Sequence, residues 1–114
     1  MSSSALDLFC ALLDHLDPEE RAHQLGFLRA LREVGADGVN ELDPRLNRAG
    51  ASRPFRQLVF EGCFYHAWPE SVPMLARALR READPELFGI GVDALGRIKS
   101  PEALEALREL AQVA

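Results

Sequence analysis

Two observations predict an all-α chain, built as a short stack of about three helical hairpins. Helix start signals recur along the sequence while no stretch sustains the alternation of a strand, and the second half of the chain repeats itself, 52–83 matching 84–114. Three segments set a capping side chain before proline and follow it with acid: Asp17-Pro18-Glu19-Glu20, Asp84-Pro85-Glu86 and Ser100-Pro101-Glu102. An Asp or Ser oxygen accepts from the free N–H groups of a first turn, proline fits there because it needs no donor, and acid complements the helix dipole. Helices are therefore expected near 4–16, 18–34, 53–67, 70–83, 85–98 and 101–113, with Gly35 closing the second.

Between Gly35 and Arg53 the stretch ADGVNELDPRLNRAGAS is rich in turn formers. It is expected to be an irregular, mobile connection, with room for one short helix starting at Asp43-Pro44.

Laying 52–83 on 84–114 requires no gap. Cap meets cap at Ser52 and Asp84, and apolar meets apolar at Phe55/Leu87, Leu58/Ile90, Phe60/Val92, Val72/Leu104 and Leu75/Leu107. Acid meets acid at Glu61 and Asp93, and the break Pro69-Glu70 falls on Pro101-Glu102. The chain reads as one domain, 1–114: a cap pair plus connection over 1–51, then copies over 52–83 and 84–114. The pair 4–34 fits the repeat poorly, as a terminal cap with one face in water would.

The last copy, DPELFGIGVDALGRIKSPEALEALREL over 84–110, resembles the shorter HEAT-like repeats of the α-solenoid class. The resemblance is specific there, moderate over 52–83, and weak before that. It implies a right-handed α-α superhelix that binds partners along its concave face; some members of the class bind DNA or act as lyases, so the fold alone does not assign the function.

Composition narrows the classes. With 114 residues, 47% apolar and 27% charged, the chain suits one ordinary globular domain. No apolar run is long enough for a membrane span and no export signal follows Met1, so a cytoplasmic location is expected. Cys10 and Cys63 lie inside apolar helical patterns and are expected to be free thiols. A net charge of -5 argues against binding nucleic acid over the whole surface. The charge is uneven, however: residues 53–83 carry five basic and three acidic groups and form the only net positive third.

On a helical wheel the second helix of the first copy places Val72, Met74, Leu75, Ala76, Ala78 and Leu79 on one arc and Arg77, Arg80 and Arg81 on the other. In the next copy the construction turns Leu104, Ala106, Leu107, Leu110 and Ala111 inward and leaves Glu105, Arg108, Glu109 and Gln112 outside. Two readings compete for the arginines. They form either a solvated face with cross-helix pairing, Arg77 beside Glu109, or a docking patch of Arg77, Arg80, Arg81, Arg108 and Glu105 for another protein with an acidic surface. Like charges at helical neighbour spacings repel by a few tenths of a kcal/mol per pair, roughly, and one glutamate cannot neutralise three guanidinium groups.

The helix 55–68 is apolar nearly all round and is expected to be central, with Tyr65 and Trp68 near its end as candidate partner anchors. Gly89, Gly91 and Gly96 interrupt the following helix, where close packing would compensate their cost. Chemistry is thin. Cys63 and His66 could reach one metal, but a zinc site needs three or four ligands and none is near in sequence. No nucleophile elbow or phosphate loop is present, and no cofactor is implied. Glu61 and Asp93 are expected to bond a neighbouring helix end or an arginine. The leading expectation is a non-enzymatic protein-interaction module, an adaptor or inhibitor. The alternatives are a phosphate or nucleic-acid binder using Arg45, Arg48, Arg53, Arg56 and the Arg77 cluster, and an enzyme with a pocket near Tyr65, His66 and Trp68.

Overall fold

The computed structural model describes residues 3–113, with side chains over 5–112, and all the regular structure among them is helical. Seven α-helices follow in order: α1 (Ser3–His15), α2 (Arg21–Val34), α3 (Ala36–Leu46), α4 (Arg53–His66), α5 (Val72–Arg81, preceded by a 3-10 turn at Pro69–Ser71), α6 (Pro85–Ile98) and α7 (Pro101–Val113).

The starts follow the capping chemistry in the second half of the chain. Ser52 Oγ accepts from the Phe55 N–H at 3.2 Å, Asp84 Oδ1 accepts from Glu86 and Leu87 at 2.9 and 3.2 Å, and Ser100 Oγ accepts from Ala103 at 3.0 Å. Asp17 behaves differently. Its side chain accepts from the Glu19 N–H at 3.0 Å and closes a turn over 17–20, so α2 begins at Arg21 rather than at residue 18.

The larger correction concerns 36–52. Residues 36–46 form helix α3, buried through Gly38, Val39, Leu42 and Leu46, and no separate helix begins at Asp43. Val39, Leu42 and Leu46, spaced three and four apart, are a helical stripe that the surrounding turn formers mask. Pro44 sits inside α3 on an exposed position, where the bond it cannot donate would have gone to the carbonyl of exposed Asn40.

With α3 in place the repeat reaches back to residue 20. Helices α2, α4 and α6 each run 14 residues and start at 21, 53 and 85. They pack in the order α2, α4, α6 as one layer, and α3, α5 and α7 pack in that order as the other. The pairs are thus α2/α3, α4/α5 and α6/α7, and α1 caps the first by lying on both its helices. Residues 4–34 fit the repeat poorly because they join this cap to half of the first pair.

Equivalent positions fill equivalent places in the core: Phe27, Val59 and Gly91; Leu31, Cys63 and Leu95; Val39, Ser71 and Ala103; Leu42, Met74 and Ala106; Leu46, Ala78 and Leu110 are all buried. Burying a Leu or Phe side chain is worth about 1.5–3 kcal/mol, so these columns fix which arc of each helix is left for water. In α7 that arc differs from the wheel. Ala103, Ala106 and Leu110 are buried, whereas Leu104 is 50% exposed and Ala111 is exposed, because no further helix pair lies against α7 among the described residues.

Candidate functional site

Arg77, Arg80 and Arg81 all stand on the exposed arc of α5, opposite buried Met74, Leu75, Ala78 and Leu79. Each has an acceptor on a neighbouring element. Arg77 forms an ion pair with Asp43 of α3, Arg80 Nη2 donates to Glu109 Oε2 of α7 at 2.7 Å, and Arg81 Nη2 donates to Asn47 Oδ1 at 3.0 Å. The expected pairing of Arg77 with Glu109 does not form. Arg80, one turn on, reaches Glu109, and Arg77 turns to the carboxylate of a helix that the sequence pattern hid.

The same geometry recurs one pair back, where Arg45, the counterpart of Arg77, donates to Asp14 of α1 at 3.0 Å. A ladder of ion pairs between successive helices thus runs from α1 through α3 and α5 to α7. Its rungs at Arg77 and Arg80 are about half exposed, with side-chain exposures of 52% and 53%. Pairs in that setting are worth about 0–1 kcal/mol. Arg108 lies beyond the ladder on α7, within 3.7 Å of Glu105, both well exposed.

Tyr65 and Trp68 occupy different surroundings. Tyr65 is 63% exposed on α4, while Trp68 is half-buried and stacks on His66 with ring centroids 4.8 Å apart. His66 Nε2 meets the Leu28 carbonyl at 3.1 Å, tying α4 to α2. His66 thus joins α4 to α2 with Trp68 stacked on it, and neither lines the notch that contains Tyr65. The notch beside Tyr65 is lined by Glu61, Phe64, Ile90 and Asp93 and measures about 190 Å³. Glu61 accepts from Gln57 at 3.4 Å, within its own helix, and makes none of the expected contacts with a helix end or an arginine.

Cys10 and Cys63 are both free thiols. Burial pushes the Cys63 thiol up to about 12, so it stays protonated and is a poor metal ligand or nucleophile. Among the described residues no three His, Cys, Asp or Glu side chains converge where an ion could sit, and no helix is long and apolar enough to cross a membrane.

Residues 91–112 match the family model described as PBS lyase HEAT-like repeat. This segment is similar to a HEAT-like repeat. The match begins in the second turn of α6 and ends on α7, so it falls within the last of the three helical pairs. No curated protein and no solved structure matches the chain. The HEAT-like repeat is a stacking unit: it buries one arc of each helix against the next pair and leaves the other arc for contacts.

Sequence reasoning missed the acceptors of this face, Asp43 and Asn47. The signal that would have found them is the apolar stripe Val39, Leu42 and Leu46, which places Asp43 and Asn47 one position beyond two of its members, beside the buried arc.

Proposed function

We propose that the chain is a non-catalytic protein-interaction module, an adaptor or inhibitor, that docks an acidic surface of another protein on the face carrying Arg77, Arg80, Arg81 and Arg108, with Glu105 at its rim. One observation carries this reading. Three guanidinium groups of like charge share the open arc of α5, and each is held outward by a contact weak enough for a partner to replace. These contacts preorganise the arginines without tying up all their donors, since each guanidinium has five. Tyr65, exposed on the other layer, is a separate and smaller candidate anchor.

The pairing of the arginines favours a protein partner over nucleic acid. Arg45, Arg53, Arg56, Arg77 and Arg80 each face a carboxylate inside the molecule, so the wide unneutralised surface that phosphate backbones reward is not assembled by these residues.

The test is neutralisation rather than reversal, because Glu at 77 or 80 would meet Asp43 or Glu109. The triple variant Arg77→Gln/Arg80→Gln/Arg81→Gln should fold with stability lowered by no more than about 1–2 kcal/mol. Losing charge pairs across an interface costs about 2–5 kcal/mol of binding, so partner recovery from a lysate of the native cell should fall at least tenfold. Full recovery with the triple variant would reduce the face to a solvated ladder.

A further inference from the structure

Five of the seven arginines between residues 45 and 81 face carboxylates; the two that do not are Arg48 and Arg81. Both line the same cleft, about 580 Å³, between the 47–52 loop and the junction of α5 with α6. Arg81 donates only to the neutral amide of Asn47, and Arg48 makes no side-chain hydrogen bond among the described residues.

The acidic groups at the cleft are already consumed. Glu82, with a side chain 3% exposed, accepts two bonds from Arg56 at 2.8 and 3.2 Å and one from the Asp84 N–H at 3.2 Å. Asp84 accepts from Arg53 at 2.8 Å and caps α6. Arg53 beside it holds the Asp84 carboxyl below its ordinary range, so it stays charged and paired. What remains uncompensated around the opening is positive. Arg56 Nη1 also donates to the Ala51 carbonyl at 2.7 Å, so the buried pair pins the loop that carries Arg48. Leu46 and Ala78, both buried, supply an apolar floor.

We propose that this cleft binds an acid-rich peptide segment of a partner protein, its carboxylates taken by Arg48 and Arg81. The cleft opens beside α5, continuous with the face proposed above through Arg81, so the inference rests on that reading and gives it an entry point. Its volume suits several residues of extended chain better than a single ion, and two separated guanidinium groups suit carboxylates carried on successive side chains.

The experiment is a titration of the full chain with a terminally blocked hexaglutamate peptide at low salt, following the arginine Nε–H resonances by NMR. Tripolyphosphate serves as a parallel probe. The Arg48 and Arg81 signals should move first, and Arg48→Gln or Arg81→Gln should each weaken the peptide by about tenfold, the gain of one charge-assisted bond. Arg32→Gln, on exposed α2 surface, should leave affinity unchanged. Thermal melts establish that each variant is folded. Equal loss in Arg32→Gln, or binding of tripolyphosphate without the peptide, would overturn the proposal. Shifts confined to Arg77 and Arg80 would overturn the cleft while leaving the acidic-partner reading intact. No shift at any arginine would overturn the cleft, and the triple variant would then decide the broader reading on its own.

Discussion

Ala67 and Lys99 both adopt left-handed backbone, with φ of 52° and 60°, and they occupy the same position in successive repeats. Each closes the first helix of its pair by donating its N–H to the carbonyl four residues back, Cys63 or Leu95. Gly35, at that position in the preceding pair, donates to Leu31 in the same way, but its φ of 60° is joined to a ψ of -134°, outside the left-handed helical region that Ala67 and Lys99 occupy. The three acceptors are the buried column of the core, so one recurring hydrogen bond both ends the helix and anchors it.

The left-handed region costs non-glycine residues roughly 1–2 kcal/mol, partly offset by the greater freedom glycine has when unfolded. Ala67→Gly and Lys99→Gly should each raise stability by about 0.5–1 kcal/mol in chemical denaturation, and Gly35→Ala should lower it by about 1–3 kcal/mol, because φ 60° with ψ -134° is backbone that almost only glycine adopts. Destabilisation by Lys99→Gly would contradict the shared cap.

The glycines of α6 divide in a way that close packing alone did not foresee. A Cβ at Gly91 would press on the Leu79 side chain, whereas Gly89 and Gly96 face open space. Gly89→Ala and Gly96→Ala should therefore stabilise by about 0.5–1 kcal/mol through helix propensity. Gly91→Ala should destabilise by about 1–3 kcal/mol, because Leu79 is 2% exposed and has little room to yield.

The buried thiol sets an alkaline limit. Cys63 is raised from an ordinary value of 9.0 to about 12, so the stability it contributes is full below pH 9 and is lost as pH rises toward 12. Each pH unit in that window removes up to about 1.4 kcal/mol. Melting temperatures from pH 8 to 11 should fall less steeply in Cys63→Ala than in the parent chain, and Ellman's reagent should reach Cys63 only on unfolding.

Two ion pairs should differ in worth. Glu82→Ala strands Arg56, whose side chain is 29% exposed, and should cost about 2–3 kcal/mol, below the full range for a wholly buried pair. Glu109→Gln frees half-exposed Arg80 and should cost less than about 1 kcal/mol. Denaturation midpoints of the two variants provide the comparison, and equal costs would contradict the assigned burial.

The legible part of this fold was the second half, where Ser52, Asp84 and Ser100 announce helices chemically and side-by-side packing of α5 and α7 follows from the register of the two copies. The first pair was illegible because its matches are of shape, not of residue type: Leu42 stands for Met74 and Ala106, and Gly35 for Ala67 and Lys99. Turn formers such as Asp37, Gly38 and Asn40 then disguised α3 as a connection, and Gly38 is in fact a close-packing position against Val34, Leu31 and Phe9. At the candidate site the arginine arc of α5 was readable from spacing alone. Its acceptors were not, since they lie on or just after the helix that was missed. Nor was the cleft, which exists only where the 47–52 loop folds back toward α5.

Helix α3 decides whether three pairs or two are stacked, and through Asp43 and its capping residue Asn47 it holds Arg77 and Arg81 of α5. Native-state amide exchange of residues 39–47 in the free protein tests this most directly. The account predicts protection for Val39, Leu42 and Leu46 comparable to that of Leu75 and Leu79 in α5, because all five are buried in the same core. Exchange of 39–47 at the rate of an unstructured chain would contradict it.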